Sequence, residues 1–320
     1  MTDAPATVPP FRCGYVAIIG EPNVGKSTLM NGLLQQKISI VTQKPQTTRH
    51  RILGILTTTG CQAIFLDTPG IIRPRYALHE AMMESAESAL ADADLILFMV
   101  DASRPSGSAV SGESEMLSQL GGSSRPVYLV LNKVDLVGKS LLLPLIDSYA
   151  RRFSFREIFP VSALTHDGID ALLASLRSDL PVHPPLYPPD VLSDQNERFF
   201  VSEIIREKIF LRCQEEIPYS TTVEITEFIE RGSAREAGGA AGKKRGGPKW
   251  FISADIHVER DSQKGILIGK KGAMLKEIGE LARRDIERFL DHRVFLELHV
   301  RVRPGWRGDR EWLDRQGYSR

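Results

Sequence analysis

Gly20-Glu21-Pro22-Asn23-Val24-Gly25-Lys26-Ser27 decides how this chain is read. The apolar run Tyr15-Val16-Ala17-Ile18-Ile19 leads into it and Thr28-Leu29-Met30-Asn31 follows, giving the order strand, glycine-bounded loop, helix start. In that context G-x-x-x-x-G-K-S is a phosphate-binding P-loop. The glycines let the backbone curl, so that successive N–H groups from Gly20 to Thr28 and the helix N-terminus point at phosphate oxygens. Lys26 would reach the β- and γ-phosphates, and the Ser27 hydroxyl would complete the shell of a magnesium ion.

The rest of the composition is that of an ordinary globular protein. Its 320 residues suffice for two or three domains, and 42% apolar content is enough to build their cores. Cys13, Cys61 and Cys213 lie far apart with no CxxC pair, which argues against zinc and against a disulfide framework and for a reducing compartment. Residues 1–10 are rich in Pro, Ala and Thr and lack the apolar core of a secretory signal. The longest unbroken apolar run found, Leu95 to Val100, is too short to cross a bilayer, so a cytoplasmic protein is expected. The net charge of +1 hides an asymmetry. Residues 1–196 carry 16 Lys+Arg against 19 Asp+Glu, whereas the remainder carries 25 against 21. The second half is the better candidate for meeting a polyanion.

Working outward from the P-loop, Lys44-Pro45-Gln46-Thr47-Thr48-Arg49 is a polar loop broken by Pro, and Arg51 to Leu56 reads as a strand. A threonine in such a loop can give magnesium a second hydroxyl, and the residues alone leave Thr47 and Thr48 open. The apolar run Ala63 to Leu66 ends in Asp67-Thr68-Pro69-Gly70. A carboxylate at the tip of a buried strand can hold magnesium through water, and the N–H of Gly70 can approach the γ-phosphate. A helix from about Leu78 to Ala91 precedes the strand Leu95 to Val100, which ends at Asp101. Val127 to Leu131 then runs into Asn132-Lys133-Val134-Asp135, which selects the base. Guanine offers two adjacent donors that the Asp135 carboxylate accepts in bidentate fashion. Adenine would leave that charge unpaired. Asn132 would brace the loop and reach the base edge, and the Lys133 stem would cover the purine face. The strand Ile158 to Val161 ends in Ser162-Ala163, suited to meet the guanine carbonyl, and a helix Ile169 to Leu180 closes the domain. Motifs at successive strand ends imply an α/β domain with its ligand over the carboxyl ends of a mostly parallel sheet.

On Gly20 to Ser27, Gln46 to Arg51, Asp67 to Gly70, Asn132 to Asp135 and Ser162-Ala163-Leu164, the chain resembles the translation-factor-like GTPases, specifically the Era family. The resemblance implies GTP and GDP as ligands, Mg2+ as cofactor, Thr48 as the magnesium-binding threonine, and Lys26, Thr48, Asp67 and Gly70 as the catalytic set. Where Ras-like enzymes carry a water-orienting Gln, this chain has Ile71, which cannot hold water by hydrogen bonding. Slow intrinsic hydrolysis is expected. The resemblance further implies a K+ ion near the β/γ-phosphates with Asn23 as its ligand.

Pro181-Val182-His183-Pro184-Pro185-Leu186-Tyr187-Pro188-Pro189 has five prolines in nine residues and reads as a semi-extended spacer over 181–195. The domains expected are a disordered stretch 1–11, a G domain 12–180, and a second domain 196–320. In the latter, Phe199, Phe200, Ile204, Ile205 and Ile209 recur at helical spacing, and Thr222 to Ile229 alternates as a half-buried strand. Gly232 to Lys249 is Gly/Ala/Lys/Arg-rich and reads as a disordered insertion before a strand, Trp250 to Val258. Gly269-Lys270-Lys271-Gly272 follows, then a helix Ala273 to Phe289 and a strand Val294 to Val302. GxxG in this order has the form of the KH loop that clamps about four nucleotides of single-stranded backbone. Its two glycines permit close approach, its lysines neutralise phosphate, and Ile266 and Ile268 would form an apolar floor beneath the bases. Trp306 and its neighbouring arginines suit RNA or a mobile terminus equally. The fold expected is thus a P-loop GTPase domain followed by an α+β type II KH domain. The Era resemblance implies binding near the 3′ end of 16S rRNA and a role in assembly of the small (30S) ribosomal subunit. It carries, as an alternative, peripheral association with the inner membrane; a monomer is expected.

Overall fold

The computed structural model describes residues 10–42, 44–70, 74–104, 111–230 and 250–318. They form two compact units, one ending at Asp194 and taking in Gly317 and Tyr318, the other running Gln195–Gln316. The insertion 232–249 and nearly all of the N-terminal stretch lie outside the described residues.

The first unit is a six-stranded sheet ordered β2-β3-β1-β4-β5-β6. In chain order its elements are β1 (Arg12–Gly20), α1 (Lys26–Leu34), β2 (Ile52–Thr58), β3 (Cys61–Asp67), α2 (Ala77–Asp92), β4 (Leu95–Asp101), α3 (Ser111–Leu120), β5 (Val127–Asn132), α4 (Lys139–Ala150), β6 (Glu157–Pro160) and α5 (Ile169–Asp179). β1, β3, β4, β5 and β6 pair in parallel, and β2 runs antiparallel along β3. The central strands are continuous apolar runs because both faces are covered; Ile18, Phe65, Phe98 and Leu129 are wholly buried. Two helices escape sequence reading. α3 turns Met116, Leu117 and Leu120 inward together with the charged Glu113, a broken apolar pattern, and α4 contains Pro144, which removes a helical donor and argues against a helix.

The proline-rich segment, read as a semi-extended spacer, is hydrogen-bonded to the first unit's sheet. The Pro181 carbonyl accepts from Cys13 N at 3.0 Å, and the Leu192 carbonyl from Ile55 N at 2.8 Å. Between them, Gln62, fully buried on β3, accepts from Leu186 N and Tyr187 N at 2.8 and 3.0 Å and donates to the Tyr187 carbonyl at 2.8 Å. Prolines lack donors but keep acceptors, so such a segment can be satisfied by N–H groups along a sheet margin.

In the second unit, α6 (Glu197–Arg212) starts where the Asn196 side chain accepts from Phe199 N at 2.9 Å. β7 (Thr222–Glu230) pairs antiparallel with β8 (Trp250–Val258). α7 (Asp261–Ile268) and α8 (Ala273–Leu290) follow, and then β9 (Val294–Val302) lies parallel to β8. The core joins Ile205 and Ile209 of α6, Ile252 and Ile256 of β8, and Ile278, Ala282 and Ile286 of α8. On α8 that i, i+4, i+8 stripe is buried while Lys276, Glu280 and Arg283 stand in solvent, the amphipathic pattern of a surface helix. A short α9 (Arg310–Arg315) ends the unit.

The segment that carries Ile266 and Ile268 is helix α7. Ile266 is 53% exposed, Leu267 is the side chain turned inward, and Ile268 packs against the core. Trp306 is neither mobile nor available to stack on a base: it is fully buried, with its indole N–H on the Ser220 carbonyl at 3.1 Å.

Candidate functional site

The P-loop bends at the carboxyl end of β1. Gly25 has φ +105, and a Cβ there would lie 2.2 Å from Asn132 Nδ2, so only glycine lets the base loop come this close. Lys26 is buried, and its ammonium donates to the carbonyls of Gly20 and Glu21 at 2.9 and 3.0 Å. Burial drives its pKa down to about 8, against the pull of the Asp67 and Glu21 carboxylates. Pro22, Asn23 and Val24 complete the turn, Asn23 with φ +66. Ser27 and Thr28 open α1.

Three oxygen-bearing residues from separate segments converge beside it. Ser27 Oγ lies 2.8 Å from Asp67 Oδ2 and 2.9 Å from Thr48 Oγ1. Of the two threonines, Thr48 is the one beside Ser27, whereas Thr47 contacts Thr42 Oγ1 and the Lys44 carbonyl, both at 2.8 Å. Asp67 is wholly buried, burial raises its pKa against the opposing effect of Lys26, and its Oδ1 has no hydrogen-bond partner. A buried carboxylate oxygen without a partner beside two hydroxyls is an all-oxygen donor set suited to Mg2+. Thr68 ties this strand end to β1 through the Ile18 carbonyl at 2.9 Å. Past Pro69, a Cβ on Gly70 would meet Pro22 at 2.9 Å, so this segment lies against the P-loop. Ile71 lies outside the described residues. Gln46 Oε1 sits 3.3 Å from His79 Nε2, linking the Thr48 loop to α2.

On the base side, Asn132 braces two loops at once. Its Nδ2 donates to the Val24 carbonyl at 2.7 Å and its Oδ1 accepts from Ala163 N at 2.9 Å. Lys133 is left-handed at φ +67, which turns its stem across the pocket, and its ammonium lies 2.6 Å from Asp101 Oδ2. Asp135 is exposed, as an acceptor for an incoming base must be, and Ser162 is buried with its Oγ capping Thr165 N at 3.1 Å. The sequence motifs include neither Asp101 nor Arg104, which is ion-paired with Glu21. Asp101 is visible in sequence only as a polar residue ending a buried strand.

A family model described as 50S ribosome-binding GTPase matches residues 15–133, and one described as KH domain matches 216–307. GTPase Era from Geobacter metallireducens is 50% identical over 310 residues, spanning 97% of this chain and 99% of the relative. The chain belongs to the Era family of GTPases. GTPase Era from Syntrophus aciditrophicus is 47% identical over 310 residues, covering 97% of this chain and 96% of its own. Two solved Era structures superpose with TM-score 0.86, each covering 97% of this chain and 100% of the other. The Aquifex aeolicus Y63A protein bound to GDP.AlF4- is 39% identical; a complex with MgGDPNP and nucleotides 1506–1542 of 16S ribosomal RNA is 40% identical.

In this Era-family GTPase the second candidate site is the Gly269–Gly272 loop between α7 and α8. Gly269, Lys271 and Gly272 have φ of +71, +53 and +80, and both lysines are exposed. A Cβ on Gly269 would meet Met274 Cβ at 2.8 Å, whereas one on Gly272 meets nothing within 4 Å. Lys271 and Gly272 are left-handed and Gly269 pairs its positive φ with ψ 177, a conformation open essentially to glycine, so three positive-φ residues in four shape the turn that carries the two cations. Among the described residues no helix is long and apolar enough to cross a membrane.

Proposed function

We propose that this GTPase binds Mg2+–GTP at Gly20–Thr28, Asp67–Gly70, Asn132, Lys133, Asp135, Ser162 and Ala163. Through Gly269–Gly272 it holds single-stranded RNA near the 3′ end of 16S rRNA, and so acts in the cytoplasm in assembly of the 30S subunit. The carrying observation is the exposed Lys270-Lys271 pair on a left-handed Gly-bounded turn inside a KH unit. The 40%-identical relative solved with MgGDPNP and 16S rRNA supports it. Magnesium, when bound, supplies positive charge against the β/γ-phosphates. This chain's own part is to present Ser27, Thr48 and Asp67 to the ion, and Lys26 and the Gly70 N–H to the γ-phosphate. Loss of that phosphate removes what the Thr48 loop and the Asp67–Gly70 segment both grip, so RNA affinity depends on the nucleotide. Asn23 is proposed as a ligand of K+, supported by its place in the loop; equal hydrolysis rates in potassium and sodium buffers would exclude it.

The test is fluorescence anisotropy with a strand from the 3′ end of 16S rRNA and a scrambled control, in GDP and in a non-hydrolysable GTP analogue. Tighter binding of the rRNA strand with the analogue is expected, collapsing in the Lys270→Asp/Lys271→Asp variant. With alanine at both positions, the slope of log affinity against log salt should flatten by about 0.7 for each phosphate that is no longer neutralised. Equal weak binding to every strand in both nucleotide states overturns the reading, and co-sedimentation with anionic vesicles would then favour action at the membrane surface.

A further inference from the structure

Between the P-loop and the base loop lies a set of charges, two of which, Asp101 and Arg104, belong to none of the GTPase motifs named above. Arg104 follows β4 by three residues. Its guanidinium is ion-paired with the Glu21 carboxylate, reaches the Pro22 carbonyl from NH2 at 3.5 Å, and lies 4.0 Å from Asp101 Oδ2 through Nε. Asp101 divides its two oxygens. Oδ2 takes the Lys133 ammonium at 2.6 Å, and Oδ1 takes Ser103 N and Oγ at 3.0 and 2.6 Å. The side chains of Glu21 and Asp101 are only 8% and 7% exposed, whereas those of Arg104 and Lys133 are 34% and 31% exposed. The result is a chain of alternating charge, Glu21–Arg104–Asp101–Lys133, with its anions buried and its cations at the rim.

The backbone beneath this chain is rigid. Asp101 is in register with Asn132 across the parallel β4–β5 pair, and Ala102 N donates to the Asn132 carbonyl at 2.8 Å. The turn after β4 is thus fixed to the strand that carries the base motif, and from there Arg104 reaches across to the first residues of the phosphate loop. Burial would raise the Asp101 carboxyl, but the hydrogen bonds from Lys133 and Ser103 hold it below the ordinary range, so it is an anion wherever the pocket works.

We propose that Asp101 and Arg104 are positioning residues for the guanine nucleotide: together they tie the loop that grips the phosphates to the lysine that covers the base, and thereby slow nucleotide release. For the nucleotide to leave, the Lys133 stem must lift from the purine and the P-loop must relax. With the charge chain intact, both movements break an ion pair to the same short turn. Because Glu21 and Asp101 are buried, a severed pair leaves an uncompensated carboxylate, which makes opening costly. The inference concerns the nucleotide pocket alone and stands whether or not the RNA reading holds.

The test uses the full-length protein loaded with mant-GDP, chased with excess GDP in a stopped-flow fluorimeter, with steady-state GTP hydrolysis and thermal unfolding measured beside it. Arg104→Ala and Asp101→Asn are each expected to speed release about tenfold, the size of effect typical of coupled charges in contact. KM for GTP should rise more steeply than kcat falls, because nucleotide hold is lost before chemistry. The charge-swapped pair Glu21→Arg/Arg104→Glu should recover most of the slow release that each single change loses. Should Arg104→Ala fail to fold, Arg104→Lys carries the test: it keeps the charge but gives up the guanidinium fork, and release should speed by about threefold. Unchanged release in folded Arg104→Ala and Asp101→Asn overturns the proposal. So does a swapped pair that releases as fast as the single variants, or a fall in kcat matched by the fall in melting temperature with KM untouched, which would mark a purely structural role.

Discussion

At Gly20–Ser27 the lysine destined for phosphate is buried, its ammonium already held by two backbone carbonyls and its pKa driven down to about 8. At Gly269–Gly272 the two lysines stand in solvent, and what is fixed is the backbone, through three positive-φ residues. The first loop has its donors desolvated and aimed in advance, so each interaction is strong and a small displacement is costly. The second relies on the shape of its turn and on a field that salt screens. A pocket that must grip one polyphosphate in one pose suits the former design. A loop that accepts a length of flexible RNA, as proposed above, suits the latter.

The sharpest way to break this contrast is in the magnesium-facing hydroxyls. Thr48→Val and Asp67→Asn should each lower GTP turnover on the order of a hundredfold, whereas Thr47→Val, whose hydroxyl contacts Thr42 and the Lys44 carbonyl, should stay within about threefold of the parent. Comparable losses at Thr47 and Thr48 in a phosphate-release assay would refute the geometric assignment.

The RNA loop should fail through its backbone. Gly269→Ala forces a Cβ against Met274 at a positive-φ residue, and a loss of about 2 kcal/mol in unfolding free energy is expected, with weaker RNA binding. Gly272→Ala meets open space and should cost about 1 kcal/mol, for its φ alone. Urea titrations that rank the two in the opposite order would show that the turn is not set by this packing.

A further difference is one of sign. Because the folded pKa of Lys26 lies below its ordinary 10.5, the unfolded chain binds more protons between about pH 8 and 10.5. The nucleotide-free protein should therefore gain stability as pH rises through that window, by at most about 1.4 kcal/mol per unit. Lys26→Met should remove this slope and raise nucleotide-free stability at pH 7 while abolishing GTP binding. A lower melting temperature for that variant would show that the buried ammonium is a net stabiliser.

Sequence legibility follows the same division. Gly20 to Ser27, Asp67 to Gly70 and Asn132 to Asp135 can be read because their chemistry needs fixed residue types at strand ends. Asp101 and Arg104 cannot: a salt link between the turn after β4 and the P-loop joins positions far apart in sequence, and each residue alone looks like a solvated turn. Helix α7 escapes because Gly265 and Gly269 bracket an apolar triplet that reads equally well as extended, although its start is anchored locally, by the buried Gln263 amide accepting from Glu259 N and Arg260 N. Trp306 is ambiguous because an aromatic among arginines has the same composition whether it plugs a core or meets a base. For Thr47 against Thr48, adjacent residues of one type, only coordinates can choose.

The Gln62 strap has a practical corollary for anyone dividing the molecule. Cutting after Leu180, where composition suggests a spacer begins, would strip three hydrogen-bond partners from a fully buried amide and leave the β2 margin bare. A cut that spares the strap falls at the Asp194–Gln195 bond, with all five prolines of 181–189 left on the GTPase side.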